Sequence, residues 1–186
     1  MNLKPTLVLT AVTTIVAALL IVAHNLTYVD TSAVITDKLR AKCEELMGSG
    51  KYTIVTDWKA EGYSIDKPDS ISKLIRKDSG QLAFEIEANG YNKGGLDLLI
   101  SMNDDGSVDG ISVVSITETP GLGTNVNDPE FLSLFGGMST EAVIVKKTPA
   151  AENEIEAVTG ATYSSKGVAS AVNTAVKVFS EMGVSR

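Results

Sequence analysis

One cysteine, one histidine and one tryptophan stand in 186 residues, and aromatic side chains make up 5% of the chain. Cys43 alone leaves no partner for an intramolecular disulfide and no second thiolate for a zinc or iron–sulfur centre held by this chain. His24 lies in an apolar N-terminal stretch, which removes Ser-His-Asp triads, Cys-His dyads and histidine metal sites from the rest of the chain. No metal site and no catalytic constellation are therefore expected, and redox or group-transfer chemistry has to ride on an organic cofactor. Basic residues are scarce too: 16 Lys and Arg face 23 Asp and Glu, a formal −7. Lys4 is the one basic residue before Asp30, so the remainder is slightly more acidic still. It has no basic stripe to release counterions from a phosphate backbone, and nucleic-acid binding is disfavoured. The pairs Arg76-Lys77 and Lys146-Lys147 read as solvated strand or turn charges.

Formal charge is missing altogether from Pro5 to Val29, and Thr6 to Ala23 is apolar apart from threonines. As a helix this run rises roughly 27 Å, close to the hydrocarbon thickness of a bilayer. A cleaved signal peptide is the rival reading, but the run exceeds the usual apolar core of one, and Val22-Ala23-His24-Asn25 offers no small-x-small cleavage site. A core helix is a third reading, opposed by the run's all-round apolarity. The expectation is an uncleaved single-pass anchor surrounded by lipid. Lys4 flanks one end and Asp30 the other, which places the N-terminus in the cytoplasm and the body outside the membrane. The expected division is residues 1–29, cytoplasmic tip and anchor, and residues 30–186, one extracytoplasmic domain.

In the body, Asp30 or Thr31 is expected to cap a helix through Val34, Ile35, Leu39, Cys43, Leu46 and Met47, stopped by Gly48, with Cys43 as a packing residue. Residues 52–69 carry no readable pattern. Leu82, Phe84, Ile86 and Ala88 then alternate with polar neighbours, as do Leu96, Leu98, Ile100 and Met102, which predicts half-buried antiparallel strands. Asn89 to Gly95 is a looser connection. Asn103-Asp104-Asp105-Gly106 reads as a hairpin turn before a strand from Val108 to Ile116. Pro129, after Asn127 or Asp128, starts a short helix through Phe131, Leu134 and Phe135, ending at Gly136-Gly137. Ala142 to Val145 reads as a short strand, followed by acidic Glu152, Glu154 and Glu156. Val168, Ala171, Val172, Ala175, Val176 and Phe179 recur at helical spacing and predict an amphipathic helix from Ser164 or Ser165 to about Met182. The fold class is α+β: a mainly antiparallel sheet with flanking helices after one transmembrane helix.

The start of that last helix is the first candidate site. A helix N-terminus presents unpaired N–H groups and the positive end of the macrodipole, which favour a phosphate. Gly160 permits close approach, Ala161 keeps the wall small, Thr162 offers a hydroxyl, and Ser164, Ser165 and Lys166 are candidate donors. A serine- and threonine-rich cap with a tight turn is the plain alternative. The second candidate is Glu118-Thr119-Pro120-Gly121-Leu122-Gly123, a shaped loop rather than regular structure, with a type II turn around Pro120-Gly121 as its simplest form.

Thr159-Gly160-Ala161-Thr162 resembles the [S/T]-G-A-T flavinylation motif of FMN-binding domains, in which a threonine is joined to the phosphate of FMN by a flavin transferase using FAD. The acceptor maps to Thr162. An Asp usually stands six residues before it, and Glu156 keeps that charge here. Glu118 to Gly123 resembles the E-T-P-G-L-G loop of the G subunit of Rnf electron-transport complexes and the C subunit of the sodium-translocating NADH:quinone reductase. Both motifs follow a single N-terminal transmembrane helix in those proteins, and the short length looks more like the Rnf protein.

The resemblance implies a phosphoprotein of the bacterial cytoplasmic membrane carrying covalent FMN on Thr162. It would relay electrons in an ion-translocating ferredoxin:NAD⁺ oxidoreductase as a component that does not turn over alone. Its partners would be integral-membrane and redox subunits and, during maturation, the transferase. Thr159, Gly160, Ala161, Tyr163, Ser164, Ser165, Lys166, Glu118, Thr119, Gly121, Leu122 and Gly123 would then surround the cofactor, with Tyr163 stacking on it or packing under the helix. A self-standing extracytoplasmic flavoprotein reductase or shuttle and a non-redox anchored binding module are the alternatives.

Overall fold

The computed structural model describes residues 3–27, 33–146 and 148–183. Two compact units divide the chain, Met1–Thr31 and Ser32–Arg186. The first holds helix α1 (Leu3–Thr27). Its stretch Pro5–His24 has a mean hydropathy of 2.5 and no buried residue. Hydroxyls of Thr10, Thr13, Thr14 and Thr27 bond back to carbonyls three or four residues earlier. That keeps the threonines compatible with an apolar surrounding. The helix is long and apolar enough to cross a bilayer.

The second unit is built on a five-stranded antiparallel meander, β1 (Tyr52–Val55), β2 (Lys73–Lys77), β3 (Leu82–Ala88), β4 (Leu96–Met102) and β5 (Val108–Ile116), in sequential order. The period-two pattern lies where the sequence predicts it: Phe84 pairs with Ile100 and Ile86 with Leu98. Those side chains face one layer containing α3 (Pro129–Ser133) and α4 (Thr162–Glu181), with Val168, Ala171, Val172 and Ala175 in the shared core. The strands are more buried than the expected half, because Ala83, Ile75 and Leu99 on the opposite face are covered by α2 (Asp37–Met47) through Leu39, Cys43 and Met47. Glu87 is the one exposed residue of β3. A second, two-stranded parallel sheet joins β6 (Val143–Val145) to β7 (Glu154–Glu156).

Helix α2 begins later than expected. Its cap is Thr36, whose hydroxyl accepts from Leu39 N at 3.2 Å, and Val34 and Ile35 precede the helix. Asp30 and Thr31, the expected caps, lie outside the described residues, as does Lys147. Gly48 ends the helix at φ +74. Cys43 is a packing residue, fully buried, and that burial pushes its thiol up to about 11. The unreadable stretch 52–69 supplies β1 and a loop whose Trp58 is buried against Phe84 and Tyr63. A 3₁₀ turn, Gly123–Asn127, precedes α3, whose Asp128 cap accepts from Glu130 N at 2.9 Å.

Candidate functional site

Three stretches of chain meet at one end of the α4 layer. The β3–β4 connection brings Tyr91, the segment after β5 brings Glu118 to Gly123, and α4 brings its first turn. Between them lies a cavity of about 400 Å³ lined by Tyr91, Glu118, Thr119, Leu122, Gly123 and Gly160 to Ser164. Small-molecule sites span about 300–1,000 Å³, so the space suits a cofactor-sized ligand.

The post-β5 loop has the turn its sequence predicts. Leu122 N donates to Thr119 O at 3.2 Å, and Gly121 sits at φ +72, as the third position of a type II turn requires. Gly121 N donates to Thr124 Oγ1 at 2.9 Å, and Asn125 Nδ2 to Gly121 O at 3.1 Å, which braces the loop from below. Leu122 is left half exposed at the cavity mouth.

Helix α4 starts at Thr162, two or three residues before the expected Ser164 or Ser165, and its cap is Ala161, which offers no side-chain bond. The N–H groups of Thr162, Tyr163 and Ser164 have no partner among the described residues, and the first intrahelical bond there runs from Ser165 N to Ala161 O at 2.8 Å. Thr162 is half-buried on the cavity wall, and its hydroxyl makes no hydrogen bond to a described residue. Gly160 turns the chain at φ +77, and a Cβ there would meet Leu122 Cδ2 at 3.1 Å. The helix end thus offers free donors, a free hydroxyl and room beside them, a combination suited to a phosphate ester.

Several expected ligands are otherwise engaged. Ser165 is fully buried, donates its hydroxyl to Ala161 O at 2.9 Å and accepts from Val158 N at 3.1 Å. Ser164 donates to Glu118 Oε2 at 2.6 Å. Both serines hold the turn together instead of facing a phosphate. Glu118 is 5% exposed and accepts two further bonds, from Tyr91 N at 3.0 Å and Asn92 N at 2.9 Å. Burial alone would raise its pKa, but these three donors outweigh it and hold the carboxyl below the ordinary carboxylate range. Thr159, Gly121, Ser165 and Lys166 are not on the cavity wall, and Thr159, Gly121 and Lys166 are exposed.

Tyr91 was not among the residues expected at the site. It is 74% exposed, and its ring meets that of Tyr163, itself 67% exposed, edge to face at 6.2 Å. Tyr163 therefore neither packs under the helix nor closes the cavity, and the two rings form an open aromatic rim. The one sequence signal for Tyr91 is an aromatic residue between Gly90 and Gly94-Gly95, in a loop with no apolar periodicity. A larger and more polar groove, about 810 Å³, runs along α4 between Lys166 and Lys177, and Lys166 is the one candidate residue it includes.

Residues 90–177 match the family described as FMN-binding domain. That segment is a little under half of the chain. Its boundaries enclose every residue of the cavity. The chain is 36% identical over 104 residues to the G subunit of the proton-translocating ferredoxin:NAD(+) oxidoreductase complex of Clostridium ljungdahlii, covering 55% of this chain and 56% of that protein. Against the G subunit of the Na(+)-translocating ferredoxin:NAD(+) oxidoreductase complex of Acetobacterium woodii it is 30% identical over 130 residues, 66% of this chain and 62% of the relative. It thus spans little more than half the length of these relatives. The fold resembles that of the C subunit of the Na(+)-translocating NADH-quinone reductase from Parabacteroides distasonis, with a TM-score of 0.51 and 23% identity over 82% of this chain and 86% of the other. The resemblance drawn from Glu118–Gly123 and Thr159–Thr162 is borne out in these relatives, and the α+β fold with its antiparallel sheet in the structure.

Proposed function

We propose that the protein is the electron-carrying G-type subunit of a membrane-bound, ion-translocating ferredoxin:NAD⁺ oxidoreductase complex of the Rnf type, with FMN joined through a phosphoester to Thr162. The observation that carries this reading is the unpartnered Thr162 hydroxyl on the wall of a cofactor-sized cavity, at an uncapped helix N-terminus, inside the FMN-binding domain. Relatives named as G subunits of such complexes support the assignment to a complex.

FMN supplies one- and two-electron redox chemistry once bound. The chain's task is to hold it. The N–H groups of Thr162, Tyr163 and Ser164 would carry the phosphate charge at the positive end of α4. Leu122, Tyr91 and Tyr163 would provide apolar and aromatic surface for the ring system, with Gly160 keeping the wall open. Their exposure leaves one side of the site accessible to a redox partner. Transfer from FAD forms the Thr162 Oγ–phosphorus bond, breaks the pyrophosphate bond and releases AMP and the hydroxyl proton, with no change of oxidation state. A covalent link suits a body outside the cytoplasm, where no flavin pool replaces what dissociates. Helix α1 would provide the anchor, with Lys4 on the cytoplasmic side.

The test is intact mass and in-gel flavin fluorescence of the full chain coexpressed with a flavin transferase. The wild type gains the mass of FMN less water, on the peptide carrying Thr162, whereas Thr162→Ala gains nothing and keeps its fold by circular dichroism. A labelled Thr162→Ala protein would refute the site.

A further inference from the structure

Glu118 belongs to the loop that resembles a cofactor-binding motif, yet its carboxylate faces the protein. The chain leaves β5 at Ile116 and turns this side chain inward, where it meets donors from two other parts of the sequence: the N–H groups of Tyr91 and Asn92 in the β3–β4 connection, and the Ser164 hydroxyl in the first turn of α4. The surrounding backbone is cleared for it. A Cβ at Gly90 would lie 2.7 Å from Glu118 Cδ, and one at Gly123 would lie 2.6 Å from Oε2 and 2.7 Å from Ser164 Oγ. A Cβ at Gly95 would also collide with the carboxylate. Three glycines from two loops therefore leave space for one buried acid.

We infer that Glu118 is a positioning residue whose carboxylate pins the Tyr91 loop, the Thr119–Gly123 loop and the first turn of α4 to one point, and so sets the Thr162 hydroxyl relative to the cavity without itself holding the cofactor. The inference rests on the assignment of FMN to Thr162. Each of the three segments contributes a wall of the cavity, and among the described residues no backbone–backbone hydrogen bond joins α4 to either loop. Ser164 lies two residues past Thr162, so its bond fixes the rotation of the turn from which the acceptor hydroxyl projects. An ionised carboxylate can accept all three bonds at once, whereas an amide of the same shape turns a donor toward at least one of the three and breaks that bond.

The test uses the full chain in detergent, as Glu118→Gln, Glu118→Asp and Gly90→Ala. Gly90→Ala keeps the acid and crowds it from the opposite side, so it carries the test if Glu118→Gln folds poorly. The first readout is hydrogen–deuterium exchange on protein made without transferase, and it needs no flavin. Glu118→Gln and Gly90→Ala each speed exchange at least about tenfold in residues 89–95, 118–123 and the hydrogen-bonded amides 165–169 together, the loss of one hydrogen bond to a charged group, while β1 and β2 are unchanged. The second is the initial rate of flavin labelling by the transferase, which falls at least about tenfold in the same variants and recovers in part in Glu118→Asp. The third is the midpoint potential of the flavin that does become attached, which equals that of the wild type.

Faster exchange confined to residues 118–123 would overturn the inference, as would labelling at the wild-type rate from a loosened site. A raised potential with full labelling would also overturn it, because it would make Glu118 a direct neighbour of the flavin. If the wild type takes no flavin, the Thr162 assignment fails, while the exchange data still decide whether Glu118 joins the three segments.

Discussion

Glu118 at the cavity end and Asp97 on the α2 face of the sheet are both acids withdrawn from water, and the fold treats them in opposite ways. Glu118 receives three hydrogen bonds from three directions and is held below the ordinary carboxylate range. Asp97 receives none among the described residues. Burial pushes it up to about 6, Glu85 and Glu87 add to the rise, and Lys73 and Lys38 oppose it. Glu85, beside it, is ion-paired with Lys73. Where the chain must fix geometry, backbone and hydroxyl donors take over the role of water. On the α2 face, cations of flexible length offset like charges only in part. One arrangement specifies a position, and the other merely tolerates a charge.

Removing the acid from the specified position breaks the comparison most strongly. Glu118→Ala leaves two partly buried backbone N–H groups and the buried Ser164 hydroxyl without this acceptor, and lowers the unfolding free energy by about 3 kcal/mol, read by urea titration of the flavin-free protein. A loss under about 1 kcal/mol would mean that water replaces the carboxylate and that the region is less closed than it looks. The pH dependence follows from the depressed pKa. The stabilisation by Glu118 is complete above the unfolded value near 4.5 and is lost as pH falls through the lower folded value.

Gly167 tests the same end of the molecule from inside α4. Alanine is the better helix former by about 1 kcal/mol, which on propensity alone favours Gly167→Ala. Its Cβ, however, would lie 2.5 Å from the backbone oxygen of Asn89 and 2.7 Å from Leu96 Cδ1. The oxygen belongs to the loop that carries Tyr91, and backbone yields less readily than a side-chain tip. Overpacking of this kind costs about 1–3 kcal/mol, so the net effect is a loss of about 1 kcal/mol and a fall in melting temperature. A raised melting temperature would show that α4 is free to slide relative to the 89–95 loop.

Elements whose neighbours in space are also neighbours in sequence were legible from residues alone. β3 and β4 show period two because each presents one apolar row to the α4 layer, and Asn103 to Gly106 marks the turn that leads into β5, whose own alternation is broken by two register shifts. α4 shows itself through Val168, Ala171, Val172 and Ala175. β1 is four residues long, and in β2 the adjacent Leu74 and Ile75 are buried in different layers, so no alternation survives. The start of α2 was misplaced because Thr31 and Thr36 are equally good caps on paper, and only packing of Leu39 and Cys43 decides between them. At the site, Thr162 was legible from its motif. Tyr91 was not, since its place depends on a carboxylate 27 residues away, and neither were the inward turns of Ser164 and Ser165, which follow from where α4 lies on the sheet.

The smallest expected effect has the opposite sign and tests the tolerated charge. The folded pKa of Asp97, about 6, exceeds its unfolded value, so between roughly pH 4 and 6 the folded state keeps a proton that the unfolded chain has lost. Stability therefore declines as pH rises through that window, the reverse of the Glu118 dependence and at higher pH. Asp97→Asn removes the decline. A two-unit shift would correspond to about 2.7 kcal/mol at pH 7, but Asp97 is only partly buried, and the amide must satisfy its own polar atoms. A gain of about 1 kcal/mol at pH 7, vanishing below about pH 4, is the expected outcome of urea titrations across that range. Should Asp97→Asn gain nothing at neutral pH, Lys73 and Lys38 would be closing on the charge more tightly than their positions indicate. The α2 face would then be a specified charge network in the same sense as the Glu118 site.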